Sequence, residues 1–273
     1  DATVKDDEKA VVVLVIGESA RRQNFSLYGY SKNTNPLLAK TENLYHFIAN
    51  SCATYTTAGV KCILEHQDTE KLYEILPNYL YRNGVEVVWR TTNWGEPPIH
   101  IEKYQNADEL RKDCSGEGCD YDEILLTGLK EQISDSPKNK VLIILHTSTS
   151  HGPSYSKKYP PHFETFKPVC NSVELANCSS EELMNAYDNT IVYTDYILHT
   201  IIEKLKQLKE YKSTMIFVSD HGESLGEKNL YMHGVPMNFA PKEQYEIPFI
   251  VWVSDSTRGV KDIETVSQNH VFH

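Results

Sequence analysis

The 273-residue sequence has no long hydrophobic run; its longest apolar stretch is AVVVLVIG, residues 10–17. That is far short of the ~18–20 residues a membrane-spanning helix needs. It also lacks an excess of positive charge. With 27 Lys and Arg against 38 Asp and Glu, the formal net charge is −11. This argues against nucleic acid as a partner, because tracking phosphates takes a basic surface, and against adhesion to anionic lipid through the overall field of the domain. An anionic substrate must then be held by a local cationic feature such as a metal. There is no C-x-x-C pair or dense cysteine cluster of the kind that holds structural zinc, no internal repeat and no low-complexity tract.

What is present suits one large α/β domain. Hydrophobic residues make up 40% and charged residues 24%, ordinary values for a globular chain long enough to bury a sizeable core. Residues 1–9 are polar, show no signal-peptide pattern and read as a linker, leaving 10–273 as the folded domain. The six cysteines fall in three close pairs, Cys52/Cys62, Cys114/Cys119 and Cys170/Cys178. Six cysteines allow 15 connectivities, so pairing cannot be deduced, but the short separations favour local disulfides and hence an oxidising compartment, periplasmic or extracellular.

Five β-branched-rich runs read as strands buried on both faces: residues 11–17, 85–90, 141–146, 214–220 and 247–253. Helical patterns lie between them. Residues 35–51 open on Asn-Pro, residues 69–84 end at Gly84 with Pro77 expected to kink or split the helix, and residues 181–208 form a long helix. The alternation predicts a mostly parallel sheet covered on both sides. Residues 152–180 read as a loop that covers part of a site or surface.

In open α/β sheets, ligands bind at the carboxyl ends of strands. After the first strand comes Glu18, and after residues 141–146 comes TSTSHGP with His151. After residues 214–218 come Asp220, His221 and Gly222, followed by His233. Two carboxylates and up to three histidines on one edge form a metal-ligand set without sulfur, suited to zinc and then manganese. Adjacent Asp220 and His221 can serve one ion if the backbone turns sharply, which Gly222 permits. Taken singly, each has an ordinary alternative. Glu18 can cap a helix, 220–222 can be a turn, and His151 and His233 can be loop histidines. His146 reads as a buried strand-end residue, and Asp188 and Asp195 as capping or solvated positions. The coincidence of several strand ends is what favours chemistry. A threonine oxygen from SCATYTTAGVKC, residues 51–62, can complete the set.

Five segments, VVVLVIGESARRQNFSLYGYSKNTNPLL, CATYTTAGVKC, HTSTSHGPSYSKKYP, PVCNSVELANCSSEELMNAYDNTIVYTDYI and VSDHGESLGEKNLYMHGVPMNFAP, resemble the phosphoethanolamine transferases of the alkaline phosphatase and sulfatase superfamily. The resemblance runs from about residue 10 to 273. It implies a three-layer α/β/α sandwich and a covalent nucleophile at Thr56. It implies zinc ligands Glu18, Thr56, Asp220 and His221, with one ion firmly bound and a second possible. His151 and His233 are implied to face substrate or a second metal. The implied donor is phosphatidylethanolamine, and the implied acceptor is lipid A, lipooligosaccharide or another envelope component. The family includes lipid A-modifying enzymes that confer polymyxin resistance. The implied setting is the periplasmic face of the bacterial inner membrane, with 10–273 as a periplasmic catalytic domain whose N-terminal membrane domain is not in this chain. A monomer is expected.

The stretch departs from the family pattern at Lys61, where relatives often have proline, in ILEHQDTEKLY after Cys62, and in TNWGEPPIH (92–100), which lacks a lysine some members carry. A sulfatase would need C/S-x-P-x-R, and residues 52–56 have neither that proline nor that arginine. A phosphoglycerol transferase with manganese shares the ligand logic but is not expected to carry this disulfide set. A metal-stabilised binding domain without turnover is the reading from another class.

Overall fold

The computed structural model of the protein describes residues 7–65, 74–254 and 265–271. In chain order the elements are β1 (Ala10–Gly17), β2 (Leu44–Asn50), α1 (Thr56–Leu64), α2 (Leu76–Arg82), β3 (Glu86–Thr91), β4 (Lys103–Asn106), α3 (Ala107–Arg111), α4 (Leu129–Ser134), β5 (Lys140–His146), α5 (Ser180–Lys206), β6 (Lys212–Ser219), β7 (Ser224–Leu225), β8 (Tyr231–Met232), β9 (Glu246–Val253) and β10 (Thr265–Ser267). The main sheet has eight strands in the order β10-β2-β9-β6-β1-β5-β3-β4. β1 lies at its centre, parallel to β5 and β6, while β9 runs antiparallel to both β6 and β2.

Alternation along β1 builds the two outer layers. Val11, Val13 and Val15 point to a core shared with α3, α4 and α5, and Leu14 and Ile16 to a second core closed by α1 and α2. Each such side chain withdrawn from water contributes roughly 1.5–3 kcal/mol. This is the expected α/β/α sandwich with a mostly parallel sheet.

Three sequence readings are corrected. The helix expected over 35–51 is a short 3-10 turn, Leu38–Lys40, followed by β2. Phe47 and Ala49 are buried while Ile48 is 49% exposed, so the stretch follows the two-residue period of a strand and pairs with β9. Asn35 does not start a helix; its Oδ1 accepts the Leu27 N–H and braces a loop. Pro77 neither kinks nor splits α2. It sits in the first turn, where its missing N–H costs nothing; residues 69–73 of that expected helix lie outside the described residues.

The long helix is α5, opened by a reciprocal capping box between Ser179 and Glu182. Asp188 and Asp195 on it are buried rather than solvated. Asp188 accepts from Asn24, Tyr30 and Lys32, and Asp195 accepts the backbone N–H groups of Leu37 and Leu38. The loop 152–180 folds back on α5 through buried Tyr155 and Tyr159. Disulfides join Cys52–Cys62, Cys114–Cys119 and Cys170–Cys178, with Cα separations of 6.5, 6.0 and 5.6 Å.

Candidate active site

At the carboxyl end of β1 the chain turns through Ser19, whose φ of 54° is left-handed. This is a costly conformation for a residue with a Cβ, and one that clusters at functional sites. The turn leaves the Glu18 carboxylate buried at the sheet edge and aims the Ser19 N–H at Asp220 Oδ1, 3.1 Å away. β6 ends beside it and delivers Asp220 and His221, both fully buried. Gly222 is needed for a different reason from the one its position suggests. Its backbone is not left-handed; instead, the Glu243 carbonyl lies where a side chain would stand, with the carbonyl carbon 2.9 Å from an added Cβ. The Gly222 N–H donates to Gln244 O at 2.8 Å.

Thr56 is the first residue of α1, with Tyr55 extended ahead of it. Its Oγ1 lies 3.0 and 3.1 Å from the two Glu18 oxygens and 3.4 Å from His221 Nε2. The Cys52–Cys62 bridge ties the loop before α1 to the helix itself. Thr54 donates to Val235 O at 2.6 Å, joining that loop to the segment after His233. Lys61, where proline is frequent in the resembling family, continues α1 and pairs with Glu65 at 3.3 Å.

Charge around these atoms is unbalanced in a way a cation resolves. His221 Nδ1 faces Gly222 O at 2.7 Å, so that nitrogen carries a proton and donates. Nε2 then looks at Glu18 Oε1 (3.1 Å) and Asp220 Oδ2 (3.5 Å). Burial pushes the Glu18 carboxyl up, but the bonded His221 imidazole and its charge outweigh this and hold it well below the usual range. Burial drives the Asp220 carboxyl well above its ordinary value, and the facing Glu18 charge drives it further. Burial lowers the His221 imidazole, yet its bond to Glu18 leaves it raised. Asp220 Oδ2 is buried without a hydrogen-bond partner. Two facing carboxylates, an orphaned oxygen and an imidazole nitrogen, all dry, fit a divalent cation of the oxygen-and-nitrogen class.

The structure also brings the other expected histidines here. The His233 ring is 4.1 Å from that of His221 and 5.6 Å from that of His151. Donor atoms of Glu18, His221 and His233 lie within 4.8 Å of one another, and so do those of Glu18, His146 and Asp220.

Several site residues were not found by the sequence reading. His146 is a buried strand-end residue as expected, but it also faces this centre: its Nδ1 is 3.1 Å from Glu96 and its buried Nε2 has no partner. Asn93, two residues past β3, donates to Glu18 Oε2 at 2.8 Å. Its place after a strand on the active edge was the available signal. Glu223 holds His233 Nδ1 at 2.8 Å and accepts the buried Tyr155 hydroxyl at 2.6 Å; no local pattern marks that long-range pair.

Comparison with known proteins gives a consistent picture. A family model described as Sulfatase matches residues 10–273. The chain is 46% identical over 273 residues to phosphoethanolamine transferase EptA of Helicobacter pylori, an alignment that covers 96% of this chain and 52% of that protein. The crystal structure of the C-terminal periplasmic domain of phosphoethanolamine transferase EptC from Campylobacter jejuni matches with a TM-score of 0.86 at 37% identity, covering 99% of this chain and 90% of that one. The integral membrane protein lipooligosaccharide phosphoethanolamine transferase A from Neisseria meningitidis also gives a TM-score of 0.86, at 33% identity, covering 100% of this chain and 55% of that one. The chain spans about half the length of the curated relatives it matches. Among the described residues, no helix is long and apolar enough to cross a membrane.

Proposed function

The chain belongs to the sulfatase family and, within it, to the phosphoethanolamine transferases, and from that membership we propose that it transfers phosphoethanolamine from phosphatidylethanolamine to lipid A, lipooligosaccharide or another envelope acceptor through a covalent Thr56 intermediate. The observation that carries this reading is Thr56 Oγ1 set 3.0 Å from Glu18 and 3.4 Å from His221, on a centre whose charge suits a cation. Residues 10–273 act as the catalytic domain at the periplasmic face of the inner membrane, and residues 1–9 as a linker from a membrane domain outside this chain.

Glu18, Thr56, Asp220 and His221 would hold one zinc ion, and His151 and His233 would serve a second ion or proton transfer. Zinc bound there supplies a Lewis acid that lowers the pKa of the threonine hydroxyl and offsets charge on the phosphoryl group. The protein's own groups do the rest. The first N–H groups of α1 face the phosphate, where a helix N-terminus favours anions. Asn93 and Ser19, both donating to Glu18, fix its carboxylate against rotation. Thr56 Oγ1 forms the new bond to phosphorus and gives its proton to His233 or His151, while the bond to the diacylglycerol oxygen breaks. That leaving oxygen takes a proton from His233 or His151. The acceptor's hydroxyl or phosphate oxygen then attacks the phosphoethanolamine-threonine, the bond from phosphorus to Thr56 Oγ1 breaks, and a proton from the acceptor hydroxyl, or from solvent where the acceptor is a phosphate oxygen, restores the threonine. Glu223 orients His233 for this work, with Tyr155 behind it.

The test is turnover. Zinc-loaded protein given a fluorescent phosphatidylethanolamine should release fluorescent diacylglycerol, and Thr56→Ala and Glu18→Ala should not. Equal release by Thr56→Ala would overturn the assignment of the nucleophile. Fluorescent phosphatidylglycerol consumed in preference would favour the phosphoglycerol reading.

A further inference from the structure

Several large apolar side chains carried on segments next to site residues are left in water. Trp94 is 79% exposed, Phe239 80%, Tyr55 54%, Met237 39% and Tyr231 37%. They come from three separate stretches of chain, around Tyr55, around Trp94 and from β8 to Phe239, each of which adjoins a site residue. Tyr55 precedes Thr56. Trp94 follows Asn93, accepts no burial of its own, and has its ring 6.4 Å from that of His151. Met237 and Phe239 lie on the segment after His233, which Thr54 pins through Val235 O. Exposed apolar groups carried on segments that adjoin one site mark a contact surface.

The charge of one of these stretches is also unlike that of the chain as a whole. Residues 228–242, KNLYMHGVPMNFAPK, carry Lys228, Lys242 and His233 and not one Asp or Glu, in a chain whose formal net charge is −11. Of the two acids that bound this stretch, Glu227 is taken up by Arg21 at 2.6 Å and Glu243 directly follows Lys242. Aromatic and aliphatic tips flanked by lysines are the composition that settles at a phospholipid interface. The apolar tips enter the boundary between headgroups and acyl chains, and the lysines stay with the phosphates.

We propose that this rim, Tyr55, Trp94 and the 231–239 segment flanked by Lys228 and Lys242, is a membrane-docking surface that seats the site on the phospholipid headgroup layer. It rests on the lipid-donor reading above and adds to it the means by which the catalytic domain reaches its donor. Thr56 directly follows Tyr55, and its methyl group lies against Gly95, the neighbour of Trp94, so docking through these side chains brings a headgroup phosphorus to the nucleophile without lifting the lipid out of the bilayer. A domain with the wrong overall charge for membrane adhesion thus carries one local face with the right one.

The sequence supplies its own reporter. Of the three tryptophans, Trp89 and Trp252 are 0% and 2% exposed and only Trp94 is open. Vesicles of phosphatidylethanolamine and phosphatidylglycerol with brominated acyl chains should shift Trp94 emission to the blue and quench it, leaving the two buried tryptophans as internal references. Phe239→Asp should weaken that quenching about tenfold in vesicle concentration, while keeping the native melting temperature and native turnover of a water-soluble short-chain donor. Thr56→Ala should be quenched like the native chain, because docking does not depend on turnover. Quenching without any turnover of donor by the native chain would therefore support this surface while removing the transferase reading. Three results would overturn the docking surface: no quenching at any vesicle concentration, binding abolished by salt without contact with the brominated chains, or full quenching of Phe239→Asp.

Discussion

Gly59 makes a demanding test of the geometry, because intrinsic propensity and packing predict opposite outcomes. It lies in the interior of α1, where replacing glycine by alanine ordinarily stabilises a helix by about 1 kcal/mol. Here the Asp220 backbone crosses the helix. A Cβ at position 59 would stand 2.8 Å from the Asp220 carbonyl carbon and 3.1 Å from its Cα, with the carbonyl oxygen closer still. Carbon atoms in contact settle near 3.5 Å, so the carbonyl carbon alone requires α1 and the β6 terminus to part by about 0.7 Å, and the oxygen requires more. Overpacking of this kind costs ~1–3 kcal/mol, which cancels the propensity gain and leaves Gly59→Ala less stable by up to ~2 kcal/mol, a drop of a few degrees in Tm. The larger effect falls on chemistry. The two parts driven asunder carry Thr56 and Asp220, and a misplacement approaching 1 Å can cost ~10²-fold in rate. The assay pairs thermal melting with zinc titration and donor turnover, using Thr57→Ala, at an exposed position of the same helix, as the propensity control. A Gly59→Ala protein that melts higher than native, with unchanged zinc affinity and rate, would refute the claim that Gly59 is there for the approach of Asp220.

Other consequences follow from the same contacts. Because burial and Glu18 raise the Asp220 carboxyl well above its usual range, zinc binding in mildly acidic solution should release about one proton per ion and strengthen as pH rises, read by calorimetry in buffers of different ionisation enthalpy; absence of proton release would contradict the ligand assignment. Above the usual carboxylate range, where the held-down Glu18 is charged in both folded and unfolded chains, the raised Asp220 pKa means that the metal-free protein should lose stability as pH rises through that pKa, while the zinc-loaded form does not. Opening the Cys52–Cys62 bridge, a separation of 10 residues, should cost up to ~3 kcal/mol and slow turnover further, whereas opening Cys114–Cys119, outside the loop that carries Thr56, should leave the rate unchanged. Tyr155→Phe leaves a Glu223 oxygen buried without its donor and should lower stability by about 1–3 kcal/mol; an unaltered melting curve would show that the hydroxyl is dispensable.

The legible part of this molecule was its middle. The five strands read from apolar runs are the contiguous centre of the sheet, β9-β6-β1-β5-β3, where both faces are covered and the sequence is nearly uninterrupted Val, Ile and Leu. The strands of this sheet that were missed, β10, β2 and β4, lie toward its two edges, and the small β7-β8 pair was missed as well. There one face meets water, and LYHFIAN or KYQN shows only a weak period. The centre of the site was legible for a related reason. Glu18, Asp220 and His221 follow central strands directly, so the carboxyl-end rule found them, and motif resemblance supplied Thr56. Asn93 and Glu223 escaped because their partners are 75 and 10 residues distant in sequence. Gly222 was assigned to a turn when close approach of Glu243 is what excludes a side chain. Such contacts exist only once the chain has folded.

The most direct test of the central claim is peptide mass spectrometry on zinc-loaded protein quenched during turnover of phosphatidylethanolamine. A phosphoethanolamine adduct on Thr56, absent from Glu18→Ala, is the result this account predicts. An adduct on another residue, or turnover with no adduct at all, would contradict it.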